Sequence, residues 1–280
     1  LVEQVFVGAD PFFAIAALLE AMMEAERTIH MAEPSGATYA LLRKDDIELD
    51  TGVLAHLLAP ILECPAADLQ GQLARQPGIL LSELPESVAS QAARVLEQAG
   101  VGVWLLPQSD VVIPPPMVEI RRGKVLPEGF QFKDAHTTFF VPWEQVVYFD
   151  AVEIQTAKNV ITHDREPVGG NDGVRWHDTV QQKLETGWQE FLDVVCHEPW
   201  VHLRIDKDQF RYPESGLPRH SNAMKNFLGL VIAFKTRCAN ATEGPGIGLL
   251  FDGRADTRQR LPNMKVYENL FQWRLTLRGL

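Results

Sequence analysis

Cysteine is scarce in this chain. Cys64, Cys196 and Cys238 are the three cysteines of 280 residues, far apart, odd in number and without a C-x-x-C pair. That excludes a disulfide framework and a zinc ribbon, and it makes a reducing cytoplasm the simplest setting. Long apolar runs are missing as well. The nearest, Phe12 to Met23, is broken by Glu20 and falls short of the ~18 to 20 residues that a bilayer span needs. Glu3 and Asp10 precede it where a secretory signal carries Lys or Arg, so no signal peptide is expected. Asp10-Pro11 reads instead as an N-cap followed by proline at the first helical position. Residues 1–36 are expected to form an N-terminal helical appendage, with Met31 as an alternative start.

An excess of positive charge is also absent. The net charge is −11, and residues 1–116 hold all of the excess, with 16 Asp and Glu against 5 Lys and Arg; residues 117–280 carry 21 of each. Nucleic-acid binding calls for a basic footprint, which this distribution lacks. Anionic membranes reward clustered Lys and Arg, and the densest basic runs are only Arg121-Arg122-Lys124 and Arg254-Arg258-Arg260. The expected partner is a protein, not a nucleic acid or a membrane. The change in charge balance coincides with Ile113 to Met117, "IPPPM", whose three prolines predict a stiff, extended connector at a domain boundary (114–117).

Apolar residues make up 46% and charged residues 22%, an ordinary globular balance that supports a sizeable core. From residue 37 to 113 the pattern alternates. "TYALLR" (38–43) predicts a strand, and Asp50-Thr51 caps a helix with Leu54, Leu57, Leu58 and Ile61 at core spacing, which Pro60 should end or kink. "ADLQGQLARQ" (67–76) suits a short helix and "GILLSEL" (78–84) a strand. Pro85 opens a helix with Val88, Ala92, Val95, Leu96 and Ala99 on one face; Gly100 stops it, and "VGVWLLP" (101–107) returns as a strand. The stretch from Gly78 to Pro107 resembles the strand–helix–strand half of the C-terminal domain of the ribosomal stalk protein and related ferredoxin-like modules. It lacks the Lys-rich helix face by which the stalk domain meets its partners, so that role is not implied.

After Met117 short strands are predicted at 118–122, 129–133, 137–141, 144–155, 188–196, 200–205 and 209–212, several with the alternation of half-buried antiparallel strands. One helix follows, capped by Ser221, with Ala223, Phe227, Leu230, Val231 and Phe234 in a stripe. This order resembles a pleckstrin-homology-like barrel plugged by its helix, expected over 118–236, with 237–280 as an extension. "VPWEQV" and "EPWVHLRID" are also similar to uncharacterised proteins of planctomycete-type bacteria. The expected fold class is therefore α+β, a ferredoxin-like domain followed by a pleckstrin-homology-like β-barrel with a capping helix. "VYENLFQWRLTL" (266–277) fits a helix or a strand equally.

Residues 158–187 show no clear periodicity and are expected as an inserted loop. Within it, "ITHDREPVGGNDGVRWHD" (161–178) holds the only metal-like grouping: His163, Asp164, His177 and Asp178, with Glu166, Asp172, His197 or Glu198 as further donors. Adjacent residues cannot easily converge on one ion, so a solvated loop is the expectation. His202 and Arg204 alternate with Val201, Leu203 and Ile205 and are expected to face solvent. "EGPGIGLLFDG" (243–253) matches neither phosphate-loop pattern and is expected as a surface loop. There is no G-x-S-x-G elbow, and Cys196 and His197 point to opposite faces of a strand, which makes Cys196 a buried apolar residue. These readings imply a non-enzymatic intracellular binding or adaptor protein without a cofactor. The alternative is a metal-dependent hydrolase with its site on residues 161–178.

Overall fold

The computed structural model describes residues 36–47, 49–133, 137–170, 173–251 and 260–279, with backbone only for 158–170 and 173–185. The expected N-terminal appendage lies outside the described residues. The protein is a mixed α and β structure whose strands, among the described residues, form three open sheets and no closed barrel.

The first sheet follows the sequence pattern closely. Strand β1 (Thr38–Arg43) lies between β2 (Ile79–Pro85) and β3 (Val103–Pro107), antiparallel to both. Helices α1 (Thr51–Leu62) and α2 (Ala66–Arg75) link β1 to β2, and α3 (Glu86–Gln98) links β2 to β3. Asp50 caps α1 by accepting hydrogen bonds from the Gly52 and Val53 amides at 3.0 and 3.1 Å. Pro60 is accommodated in its last turn instead of ending it. Gly100 ends α3 with a φ of 82°, a conformation that costs glycine nothing. Leu54, Leu58, Leu69, Leu73, Ala92 and Leu96 from the helices pack on Leu41, Leu80 and Leu81 of the sheet.

The second sheet joins two long strands, β8 (Val146–Gly170) and β9 (Gly173–Cys196), to β10 (Val201–Asp206) and the edge strand β4 (Met117–Glu119). On its other side β8 pairs with two short segments, β11 (Thr242–Glu243) and β12 (Arg260–Leu261). The third sheet is a meander of β5 (Gly123–Val125), β6 (Gly129–Lys133) and β7 (Thr138–Pro142). Three more helices follow: α4 (Ala223–Arg237), α5 (Pro245–Phe251) and α6 (Met264–Leu277). None of the described helices is long and apolar enough to cross a membrane by itself.

Several expectations are corrected here. The segment 158–187 is not an irregular loop, since β8 and β9 pair in continuous register from Tyr148↔Val195 to Gly170↔Gly173. Backbone hydrogen bonding between the two strands specifies the ribbon although the sequence there lacks a regular polar–apolar alternation. Residues 209–212 form no strand: Phe210 is buried and Tyr212 starts a 3-10 turn, its hydroxyl donating to the Lys207 carbonyl at 2.9 Å. Asn222, not Ser221, caps α4. Residues 245–251 are a helix, not part of a surface loop. Close approach to β8 needs glycine at its start: a Cβ on Gly246 would lie 1.7 Å from the Ala151 carbonyl oxygen, and one on Gly244, just before the helix, 2.1 Å from Asp150 Cγ.

Residues 266–277 resolve as helix, and α6 is no peripheral extension. Its Val266, Tyr267, Leu270, Phe271, Trp273 and Leu275 fill a core with Ala40, Leu42 and Ile79 of the first sheet on one side and Tyr148, Val152, Ile154, Phe191 and Val195 of the second on the other. The chain leading into the proline connector is pinned to the same helix, because the Val112 amide donates to Thr276 Oγ1 and Gln272 Nε2 to the Val112 carbonyl, each at 3.0 Å. Trp273 Nε1 donates to the Arg43 carbonyl at 2.8 Å, and the Arg43 guanidinium sits 4.9 Å over the indole. Trp273→Phe keeps most of the packing but loses this bond, so it is expected to cost about 1–2 kcal/mol. Urea titration at unchanged slope checks it, and a cost within error of zero would show that α6 docks through apolar contact alone.

Candidate functional site

Because α6 and the first sheet cover one face of the second sheet while α4, α5 and the meander cover the other, β8, β9 and β10 are buried on both sides. Phe149, Ala151, Leu192, Val194, Leu203 and Ile205 belong to the core under α4. The alternate residues face α6, and several of them are polar. His202 and Arg204 are therefore buried, 5% and 6% exposed, and do not face solvent as alternation had implied. They meet Asp193, which is fully buried.

Asp193 is saturated with donors. Its Oδ1 accepts from His202 Nε2 and Arg204 Nε, each at 2.8 Å, and its Oδ2 accepts from Arg204 Nη2 at 3.1 Å and from the Tyr267 hydroxyl. A carboxylate only accepts, so the proton of this His202 contact is on Nε2. Phe271 stacks on the imidazole with centroids 4.6 Å apart, and the Arg204 guanidinium lies between the rings of Phe191 and Tyr267, 5.2 and 5.4 Å from their centroids. Directly across the ladder stands a second buried carboxylate, Asp150. It accepts from Arg274 Nη1 at 3.0 Å, from the Tyr148 hydroxyl at 3.2 Å and from the Gly246 amide at 2.9 Å.

The two carboxylates diverge electrostatically. Burial alone would raise Asp193, but the charges of His202 and Arg204 and their hydrogen bonds outweigh it, so its pKa falls well below the usual carboxylate range. For Asp150 burial prevails over Arg274, Tyr148 and Gly246, and its pKa rises to about 6. Burial lowers the pKa of Arg204, yet Asp193 more than restores it, and the net change is upward. Burial followed by the nearby carboxylates lifts Tyr267 and Tyr148 far above a normal phenol, so both stay protonated donors.

This cluster opens on a cleft of about 380 Å³ between the end of α2, the proline connector, β10 and α6. His202, Arg204 and Tyr267 form its buried lining, and Arg75, Lys265 and Glu268 its exposed edge. With Nε2 engaged, Nδ1 is the ring atom that His202 can offer a ligand. No serine, threonine or cysteine lines the cleft among the described residues, and the one hydroxyl in its lining, that of Tyr267, is donated to Asp193.

The residues singled out from sequence lie elsewhere. His163 stands across from Val180, Asp164 from Thr179, Asp178 from Arg165 and His177 from Glu166, so none of the four directly faces another of the four. Their side chains, and Asp172 altogether, lie outside the described residues. His197 and Glu198 are exposed just past the opposite end of β9, roughly 65 Å along the strand from His177 and Asp178, which removes them as co-ligands. Cys196 is buried as expected and His197 is not beside it in the core. The signal that sequence reading missed is a single Asp at the centre of each apolar strand, Asp150 in "VVYFDAV" and Asp193 in "FLDVVC". A lone central carboxylate needs buried partners, and Arg274 in "FQWRLTL" is a matching cation. Comparison of the chain with known families, with curated proteins and with solved structures finds no match in any of the three.

Proposed function

We propose that this is a non-enzymatic binding or adaptor protein whose partner is another protein, met through the arm formed by the outer halves of β8 and β9. The observation that carries this reading is the pairing of the arm. Beyond Ile154 and Glu190 the two strands hydrogen-bond only to each other among the described residues, whereas nearer the core β11, β12 and β10 cover both edges. The free portion of β8 spans roughly 50 Å at about 3.3 Å per residue. An isolated two-stranded ribbon is marginal by itself, and its unpaired edges are templates for strand addition by a partner. The abundance of charged residues between Lys158 and Glu185 keeps such edges from self-association.

A ferredoxin-like reading of the first module is supported by its split β–α–β unit, in which β1 lies between β2 and β3. A pleckstrin-homology-like reading of the second is supported by two antiparallel groups, β5 to β7 and β8 to β10, followed by α4, whose Phe234 packs edge-on against Trp143 at 5.2 Å and beside Phe130 at 5.3 Å. The open sheets depart from a closed barrel. The near-balance of charge after residue 117 favours a protein partner over nucleic acid or membrane.

Replacing Asn159 to Leu184 by Asn-Gly would close the Lys158↔Glu185 pair with a two-residue turn. The shortened chain is expected to keep its urea midpoint and to lose the proteins that the full chain captures from its native extract. Capture of the same proteins by both chains would remove the arm from the binding reading.

A further inference from the structure

The cleft beside α6 lies away from the arm, and its lining is chemically mixed in a specific way. Two cations, Arg75 from the last turn of α2 and Lys265 from the first turn of α6, stand on its exposed edge, and neither forms an ion pair among the described residues. One carboxylate, Glu268, opposes them there. The charge of Arg204 is already balanced by Asp193, so the edge keeps one net positive charge in a chain whose total is −11. Deeper, beside the His202 ring, Arg204 spends Nη1 on the Met264 sulfur at 3.0 Å, a weak acceptor that a better one can replace. Pro114, Pro115 and Met117 supply an apolar wall, and Phe271 extends it behind the His202 ring.

We infer that this cleft binds a small organic anion, with a carboxylate or phosphate held by Arg204, Arg75 and Lys265 beside the His202 ring and a flat apolar body against Pro114, Pro115 and Met117. Three features point to a ligand and not to packing alone. The buried Arg204 guanidinium is held in place by Asp193, so it adds little ordering cost for the ligand to meet. The volume of about 380 Å³ falls in the range of small-molecule sites, which combine apolar walls with a few convergent polar groups. The exposed cations have no ion-pair partner among the described residues, and charge-assisted bonds to an oxyanion are the strong kind available to them.

The full chain is to be titrated with phenyl phosphate and with benzoate, following the ring nitrogens of His202 by NMR on histidine-labelled protein and the affinity by calorimetry. Saturable binding of at least one probe is expected, with the His202 signals moving. Arg75→Glu and Lys265→Glu should each weaken it by at least about tenfold, and Glu268→Gln should tighten it. All three positions are exposed, so their melting midpoints should hold and loss of binding is separable from loss of fold. Phenyl phosphate binding without benzoate assigns the oxyanion as phosphate, and the reverse as carboxylate. Absence of saturable shifts with both probes would overturn the inference, as would equal affinity in the charge-reversed variants or equal binding of inorganic phosphate, which lacks the apolar body. Tighter binding of an acidic peptide than of either probe would assign the cleft to a protein ligand instead.

Discussion

Replacing Asp193 with alanine is expected to lower folding stability by about 3–5 kcal/mol, the cost of breaking a buried ion pair from one side. Its two oxygens hold His202, two nitrogens of Arg204 and the Tyr267 hydroxyl. The variant leaves the Arg204 guanidinium, 6% exposed, without its counter-charge. Such a loss approaches the whole stability of many domains, about 5–15 kcal/mol, so the variant should be largely unfolded in modest urea. Exposed Asp208 makes an ion pair with half-buried Lys207 at 3.7 Å, and Asp208→Ala should change stability by no more than about 1 kcal/mol. The contrast is the test: comparable urea midpoints for the two variants would mean that the cluster repacks around the missing carboxylate. There is an acid signature as well. The folded-state pKa of Asp193 is depressed, so its contribution is present above the unfolded value of about 3.9 and is lost as pH falls through the folded value. Asp193→Ala should lack that part of the acid destabilisation.

How far the sequence carried the fold depends on how each strand is buried. Strand β1 matches "TYALLR" residue for residue, and the Asp50 cap and the Gly100 stop stand where local chemistry puts them. These are local devices, written within a turn of where they act. The α4 stripe of Phe227, Leu230, Val231 and Phe234 is also buried as its spacing requires. The second sheet was less legible for a physical reason. Alternation of polar and apolar residues signals one wet face only when nothing covers it. Here α6, which begins 58 positions after the end of β10, folds over that face, and the polar alternates become an internal network. The arm was illegible for a different reason, since its pairing rests on backbone hydrogen bonds and its sequence shows no regular alternation.

The candidate site follows the same division. His163, Asp164, His177 and Asp178 drew notice because they are close in sequence, whereas Asp193, His202, Arg204, Tyr267 and Arg274 are brought together by β9, β10 and α6. Only the cross-strand register makes Asp150 and Asp193 neighbours, although 43 positions separate them. What the chain does show locally is the mismatch of one acid in each apolar strand, and the structure answers each with an arginine: Arg204 for Asp193 and Arg274 for Asp150.

Unequal compensation of these two acids leads to a second large effect. Asp150 is fully buried and its pKa is raised to about 6, because burial outweighs Arg274, Tyr148 and the Gly246 amide, and the negative charge of Asp193 adds to the rise. The groups around it are Tyr148 on its own strand, Asp193 across the ladder with its partners His202 and Arg204, and Tyr267 and Arg274 from α6. A folded-state pKa above the unfolded one means that the folded chain holds the proton more tightly. The stability this contributes is complete below about pH 4 and is lost as pH rises through about 6, amounting to roughly 3 kcal/mol for a rise of about two units. Asn cannot ionise, so Asp150→Asn is free of that loss. Urea denaturation of both proteins between pH 4 and 7 should show the wild-type advantage over Asp150→Asn greatest at pH 4 and shrinking by about 3 kcal/mol toward pH 7. Taking the difference removes the contributions of carboxylates that both proteins share, Asp193 included. A wild-type advantage that grew with pH would mean that the Asp150–Arg274 ion pair outweighs burial and that Asp150 is as firmly ionised as Asp193; an advantage independent of pH would mean that Asp150 does not titrate in this range.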